Sequence, residues 1–357
     1  MDLQRLRIGY DPYSKQLRQP GDRRRFVFYA QQRGLKFEIA HPAGSYDVVV
    51  VTERGDLSVW GTYPRGRTKI VYDMVDAYLA VPKWDVKGLL RGVAKYVARE
   101  SRHLQLDYWR AIQTMCRRAD AVVCTAEHQK ESLLPYCSNV HIILDFQDFL
   151  IRSVKKDYSC GPTFNFVWEG LAGNLHTLFV IRDVLEELAA RRKIAVHILT
   201  QLEYGRYMGK YWKQQTLDLA KRLFDGFCLY QWNEHLFSTI ITSCDMALIP
   251  IPLDEPLYAG KSANKLFLFW RLGVPAVVSA TPAYEEVMRQ CGLWMACRTL
   301  EEWGDTLERF MDDESARREA GERGRVFAER HHRDEAILGQ WDRLFASLFE
   351  ERPASFG

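Results

Sequence analysis

Residues 245–284 read DMALIPIPLDEPLYAGKSANKLFLFWRLGVPAVVSATPAY. The run ending at Ile251 is short and apolar, as a buried strand is. A polar, glycine-containing loop follows, then a helix expected to begin near Ser262. Ser262 can cap that helix, with Asn264 and Lys265 in its first turn. The helix ends at Gly273, and Pro275 opens the next strand. A strand, a helix and a further strand in this order build a parallel sheet. A helix start presents unbonded N–H groups and partial positive charge, which suit a phosphate. Lys261 and Lys265 would add full charges. An ordinary capped helix with a solvated lysine face fits these residues as well.

The same alternation extends in both directions. LRIGY, LKFEIA, YDVVVVT, KIVYDMVD, DAVVCT and NVHIIL are expected strands, with RRRFVFYAQQRG and AEHQKESLLPYC as helices. The pattern breaks between Asp145 and Thr163, where Gly161-Pro162 is a turn signal. It restarts with the strands FNFVWEG, IAVHILT, FCLYQW, DMALIPI and PAVVSA. Between them, NLHTLFVIRDVLEELAARR is expected to be a helix with Leu178, Ile181, Leu185 and Leu188 on one side. WKQQTLDLAKRLF and NEHLFSTIITSC are further helices, and the chain from Leu300 on reads helical. The expected fold class is α/β, with two tandem Rossmann-like domains, a ligand cleft between them and a helical C-terminal tail. The domains are expected at 1–150 and 151–330, with a helix at 331–357 packing back toward the first. In such sheets ligands bind outside the carboxyl ends of the strands.

The bulk composition fits. With 357 residues, 47% of them hydrophobic, the chain is too long for one typical core. Its 49 basic and 46 acidic residues nearly balance, which argues against a nucleic-acid binder. No apolar stretch is long enough to span a bilayer, and the first residues do not form a signal peptide. The expected location is therefore cytoplasmic. The eight cysteines include no Cys-x-x-Cys pair and read as buried free thiols. No His/Cys cluster has metal-ligand spacing, so neither a metal nor a cofactor is expected.

The run NKLFLFWRLGVPAVVS resembles the donor-binding segment of the GT-B glycosyltransferases, most closely the retaining family-four (group 1) members. VWEGLAGNLHTL, residues 167–178, resembles the first strand and loop of their C-terminal domain. The sequence likeness is concentrated between Val167 and Tyr284. It implies a nucleoside-diphosphate sugar as donor and a sugar or lipid-linked sugar as acceptor, with no bound metal. The backbone of Ser262, Ala263 and Asn264 would meet the diphosphate, and Lys265 would neutralise it. Gly170 and Asn174 would line the opposing loop, with His176 beside them. Retaining members commonly carry two glutamates flanking this helix start, the second holding the donor ribose. Gly260 and Leu268 stand at those positions, and neither side chain can accept a hydrogen bond. Asp254, Glu255 or Tyr258 would have to stand in.

In the first domain, Asp73 and Asp76 follow a strand. A carboxylate there can orient or deprotonate an acceptor hydroxyl; a turn Asp and a helix cap are the plainer reading. PGDRRRF, residues 20–26, follows the first strand. Gly21 would allow close backbone approach, and Arg23, Arg24 and Arg25 would supply charge to a phosphate or acceptor. A solvated basic helix start fits equally. In residues 83–99, Lys87, Arg91, Lys95 and Arg99 recur every four residues. Leu89, Leu90, Val93, Tyr96 and Val97 fall on the other side. Such a helix can rest peripherally on an anionic membrane or pack on its own core.

These readings converge on sugar transfer to a hydroxyl, with bacterial surface-polysaccharide or glycoconjugate assembly as a setting by analogy. The rival is a non-catalytic GT-B-like binding or scaffold protein with a degenerate donor site. A sugar-nucleotide epimerase of the same double-Rossmann shape would need a clearer set of carboxylates and a histidine around the anomeric carbon, and the sequence shows no such set.

Overall fold

The computed structural model describes residues 3–80, 86–98, 101–205 and 213–350. It divides into two compact units. The first runs through Phe146 and includes Gly260–Ser262 and the chain from Asp334 onward. The second comprises Gln147–Ala259 and Ala263–Arg333.

The first unit holds six parallel strands: β1 (Ile8–Asp11), β2 (Phe37–Ile39), β3 (Val48–Thr52), β4 (Lys69–Asp73), β5 (Ala121–Cys124) and β6 (Val140–Ile142). Their order across the sheet is β2-β1-β3-β4-β5-β6. Every residue of β3 is buried, as a strand covered on both faces must be. The helix Asp334–Ser347 contributes Ile337, Trp341, Leu344 and Phe345 to the core, against Phe26 and Tyr29 of the helix Phe26–Gln32. Trp341 stacks on Tyr29 with ring centroids 5.6 Å apart.

The second unit holds β7 (Phe164–Glu169), β8 (Ile194–Thr200), a hairpin of β9 (Glu203–Gly205) and β10 (Lys213–Gln215), then β11 (Phe227–Gln231), β12 (Met246–Ile249), β13 (Ala276–Ser279) and β14 (Ala296–Cys297). Its parallel sheet runs β11-β8-β7-β12-β13-β14. The strand order reverses beside β7. In the first sheet it reverses beside β1. In open sheets of this kind those reversals, at the carboxyl ends of the strands, are where ligands sit.

Three local expectations change. The segment expected to start a long helix at Asn174 winds instead as 3-10 turns over Ala172–Ile181, and the α-helix covers only Arg182–Arg191. His176 Nδ1 lies 2.8 Å from Gly173 O, a side-chain bond that suits the tighter winding. Leu178, Ile181, Leu185 and Leu188 are all buried nonetheless. The helix after β12 spans Asn264–Arg271, and its N-cap is Ala263 with no side-chain cap, so Ser262 does not cap it. In the helix Val86–Val97, Lys95 turns inward, over the Tyr108 ring at 5.3 Å, while Tyr96 and Val97 are 46% and 69% exposed. At that end the expected polar and apolar faces are exchanged. The side chains of Lys87, Leu89, Leu90, Arg91 and Arg99 lie outside the described residues. Among the described residues no helix is long and apolar enough to cross a membrane.

Candidate functional site

Two groups of side chains stand where the sheets reverse, one in each unit. In the second unit the group forms at the ends of β7 and β12. The Asn264 helix starts after β12 and its loop, so its unbonded N–H groups collect at this edge. Lys265, in the first turn, donates from Nζ to Glu169 O at 2.5 Å and lies 5.2 Å from the Trp168 ring centroid. Gly170 is next to both. A Cβ built on it would stand 2.8 Å from Lys265 Nζ and from the edge of Trp168. Gly170 is thus required for close approach. Asn174 Oδ1 accepts from Tyr258 Oη at 3.4 Å, and the Tyr258 ring meets His176 edge-on at 5.4 Å. Gln147 donates from Nε2 to Asn264 O at 2.9 Å.

Gly170, Asn174, Tyr258, Asn264 and Lys265, assembled above from sequence, therefore belong to one edge of one sheet. Glu255 lies exposed ahead of the short helix Pro256–Ala259. Leu268 is buried on the Asn264 helix, 2% exposed, so its position faces the core rather than a ligand.

In the first unit, Asp73 and Asp76 part ways. Asp73 is 1% exposed and is gripped along its length by Arg25: Nη2 to Oδ1 at 2.6 Å and Nε to Oδ2 at 2.8 Å. Arg25 Nη1 also reaches Ile143 O and Asp145 Oδ1, both at 3.0 Å. Asp73 is thereby a buried ion-pair partner and not an accessible base, and Arg25 is not a charge offered to a phosphate. Gly21 serves its neighbour: a Cβ there would stand 2.6 Å from the Tyr13 ring. Between them Asp22, buried, accepts from Tyr10 Oη, Tyr13 N and Ser14 N. Arg23 is exposed and Arg24 half-buried.

Asp76 remains partly exposed. Glu53 Oε2 accepts from the backbone N–H of Val75 and Asp76, at 3.1 and 2.9 Å, and fixes the loop after β4. Lys261 Nζ, counted with this unit, lies 3.6 Å from Asp76 Oδ1. Sequence reasoning passed over Asp11, which ends β1 by the same rule that singled out Asp73. Asp11 Oδ2 accepts from Trp60 Nε1 at 2.8 Å and Asp56 N at 2.9 Å. Among the described residues no group of His, Cys, Asp and Glu is arranged to hold a metal, and all eight cysteines are free.

No family profile matches the sequence, and no curated protein matches it. Solved structures do. The chain superposes on HepE from Anabaena, solved in complex with UDP and glucose, with TM-score 0.62 and 12% identity, over 96% of this chain and 100% of that one. For a sucrose-phosphate synthase of Thermosynechococcus elongatus the TM-score is 0.60 at 15% identity, over 91% and 76% of the two chains. For a glycosyltransferase of Rickettsia africae it is 0.60 at 8% identity, over 91% and 88%. The fold is that of the GT-B glycosyltransferases. At these identities the likeness concerns architecture, and the chemistry rests on the site.

Proposed function

We propose that the chain transfers a sugar from a nucleoside-diphosphate sugar to a hydroxyl acceptor, with the donor on the second unit and the acceptor on the first. The observation that carries this reading is the cradle of Gly170, Lys265 and the Asn264 helix start at the reversal of the second sheet. Bond cleavage leaves negative charge on the departing diphosphate. The helix N–H groups and Lys265 are preorganised to receive it, the arrangement that usually supplies the largest catalytic contribution. No metal enters this proposal. The reading agrees with one neighbour described as a glycosyltransferase and with another solved in complex with UDP and glucose.

Two further features belong to the same proposal. A glycoconjugate or polysaccharide acceptor, lipid-linked or free, suits a hydroxyl-accepting enzyme. Tyr96 and Val97 give the Val86–Val97 helix an exposed apolar end for peripheral membrane contact. The retaining subtype draws no support from Gly260 and Leu268, whose side chains cannot accept a hydrogen bond, and Leu268 is buried.

A thermal-shift panel with UDP, GDP, ADP, CMP and their sugar conjugates tests the reading. A ligand that binds only the native state raises its apparent stability. A shift with one diphosphate, lost in Lys265→Ala while nucleoside binding persists, is the expected result. No shift at millimolar concentrations would favour a degenerate-site scaffold, which the absent glutamates already suggest.

A further inference from the structure

We infer that Trp168 is a positioning residue of the donor cradle, its indole face holding the Lys265 ammonium in place for a diphosphate. This inference rests on the glycosyl-transfer reading for the ligand. The contact itself lies wholly within the second unit.

Trp168 is the fifth of the six residues of β7, which pairs in parallel with β8 and β12. It is 2% exposed. Filling the core accounts for a large apolar side chain at this position, but not for the cation laid against it. Lys265 Nζ stands 5.2 Å from the ring centroid. That is inside the roughly 6 Å within which the negative face of an aromatic ring attracts an ammonium, and tryptophan offers the strongest such face. Nζ also donates to Glu169 O at 2.5 Å. Ring and carbonyl belong to consecutive residues, so one strand end sets both contacts. Gly170 comes next and leaves the room they need. A Cβ there would stand 2.8 Å from Nζ, and 2.8 and 2.9 Å from Cη2 and Cζ2 of the indole. Trp168, Glu169 and Gly170 thus supply a ring face, an acceptor and a gap in immediate succession.

Lysine carries its charge on a flexible four-carbon stem with much rotamer freedom to lose. At an open sheet edge a ligand would have to order that stem on arrival. Here the ordering is done as the chain folds, and a diphosphate meets a charge already in place. Affinity rises because the cost of ordering has been removed from the binding step. The carbonyl fixes one direction of the ammonium, and the ring fixes a second. A ring face also attracts the cation without bringing the opposite full charge of a carboxylate, which would compete with phosphate oxygens.

The test uses the full chain with UDP, GDP, ADP, their nucleosides and inorganic pyrophosphate as probes, read by calorimetry. Trp168→Leu should weaken binding of the preferred diphosphate about tenfold, and Trp168→Phe about threefold. Nucleoside affinity should stay near wild type. The deciding variants keep the shape of the side chain. They carry 4-fluoro-, 5-fluoro- or 4,5-difluorotryptophan at position 168 alone, introduced by nonsense suppression. Fluorine draws electron density off the ring face, and these ring positions are not the ones that meet Gly170. Melting temperatures should match wild type, while diphosphate affinity falls stepwise with fluorine count.

A space-filling Trp168 would give flat affinity across that series, which overturns the inference. Affinity that rises with fluorination also overturns it, because the more acidic indole N–H would then be the acting group. Tighter diphosphate binding in Trp168→Leu overturns it as well, since the ring would be withholding Lys265 from the ligand. Each of these results leaves the glycosyl-transfer reading in place. Stepwise loss of pyrophosphate binding in a chain that binds none of UDP, GDP and ADP supports the role of Trp168 and overturns the glycosyl-transfer reading. A wild-type chain that binds none of the four overturns both.

Discussion

The Arg25 guanidinium lies flat along the Asp73 carboxylate, with Nη2–Oδ1 at 2.6 Å and Nε–Oδ2 at 2.8 Å, and both side chains are 1% exposed. The bidentate geometry links the helix after β1 to the end of β4. Removing one partner leaves the other charged group buried without compensation. Arg25→Met is therefore expected to cost about 3–5 kcal/mol in urea unfolding. The double variant Arg25→Met/Asp73→Leu should cost less than the sum of the singles, because it removes both charges together. Additive losses would show that the pair is not coupled.

Gly170 tests the donor cradle in a different way. A methyl group there meets Lys265 Nζ and the buried Trp168 at 2.8 Å. The lysine tip can swing away, but the indole cannot. Gly170→Ala is expected to lower the melting temperature by a few degrees, the scale of a modest overpacking cost. UDP or GDP affinity should fall about tenfold, equivalent to roughly 1.4 kcal/mol, while uridine or guanosine affinity stays near wild type. Unchanged diphosphate affinity would remove Gly170 from the cradle.

The strands were legible because runs such as Val48–Thr52 are β-branched throughout and Ala276–Ser279 carries Val277 and Val278 at its centre. The Asn264–Lys265 helix start was legible, but its cap was not. Strand, glycine-containing loop and apolar helix leave a local pattern, whereas Ala263 as N-cap depends on the chain's path into the helix. Arg25 was the hardest to read. Within Arg23-Arg24-Arg25 all three have the same local signature, and only a carboxylate 48 residues away separates the buried one. Asp11 was missed for a related reason. Its significance comes from the order β2-β1-β3, and strand order is set by long-range pairing.

Leu268 provides a direct trial of whether family pattern or local packing governs this helix. Its side chain is buried on the Asn264 helix. Leu268→Glu would place a carboxylate in an apolar setting with no partner prepared for it. The expected result is destabilisation by about 3 kcal/mol or more at neutral pH, relieved on acidification as the added carboxyl protonates. A stable Leu268→Glu protein with stronger nucleotide binding would instead mean that this position can reach the donor.

His332 makes the stability of the second unit depend on acid. It is buried, stacked on Phe267 at 4.9 Å with an interplanar angle of 7°, and neither ring nitrogen has a hydrogen-bond partner. Burial, reinforced by the nearby Arg271 charge, lowers its pKa from 6.5 to about 3. Between those two values the unfolded chain binds a proton that the folded chain does not, so stability rises with pH there and is lost as pH falls. Above 6.5 both states are neutral at this residue and its contribution is flat. The slope from this residue alone approaches about 1.4 kcal/mol per pH unit inside the window. His332→Leu keeps an apolar side chain against Phe267 and removes the titration. The difference in urea-unfolding stability between the two proteins should therefore shift in favour of His332→Leu as pH falls from 7 toward 4, the wild type losing stability faster. Parallel pH profiles would show that the ring is protonated, or reaches solvent, in the native state.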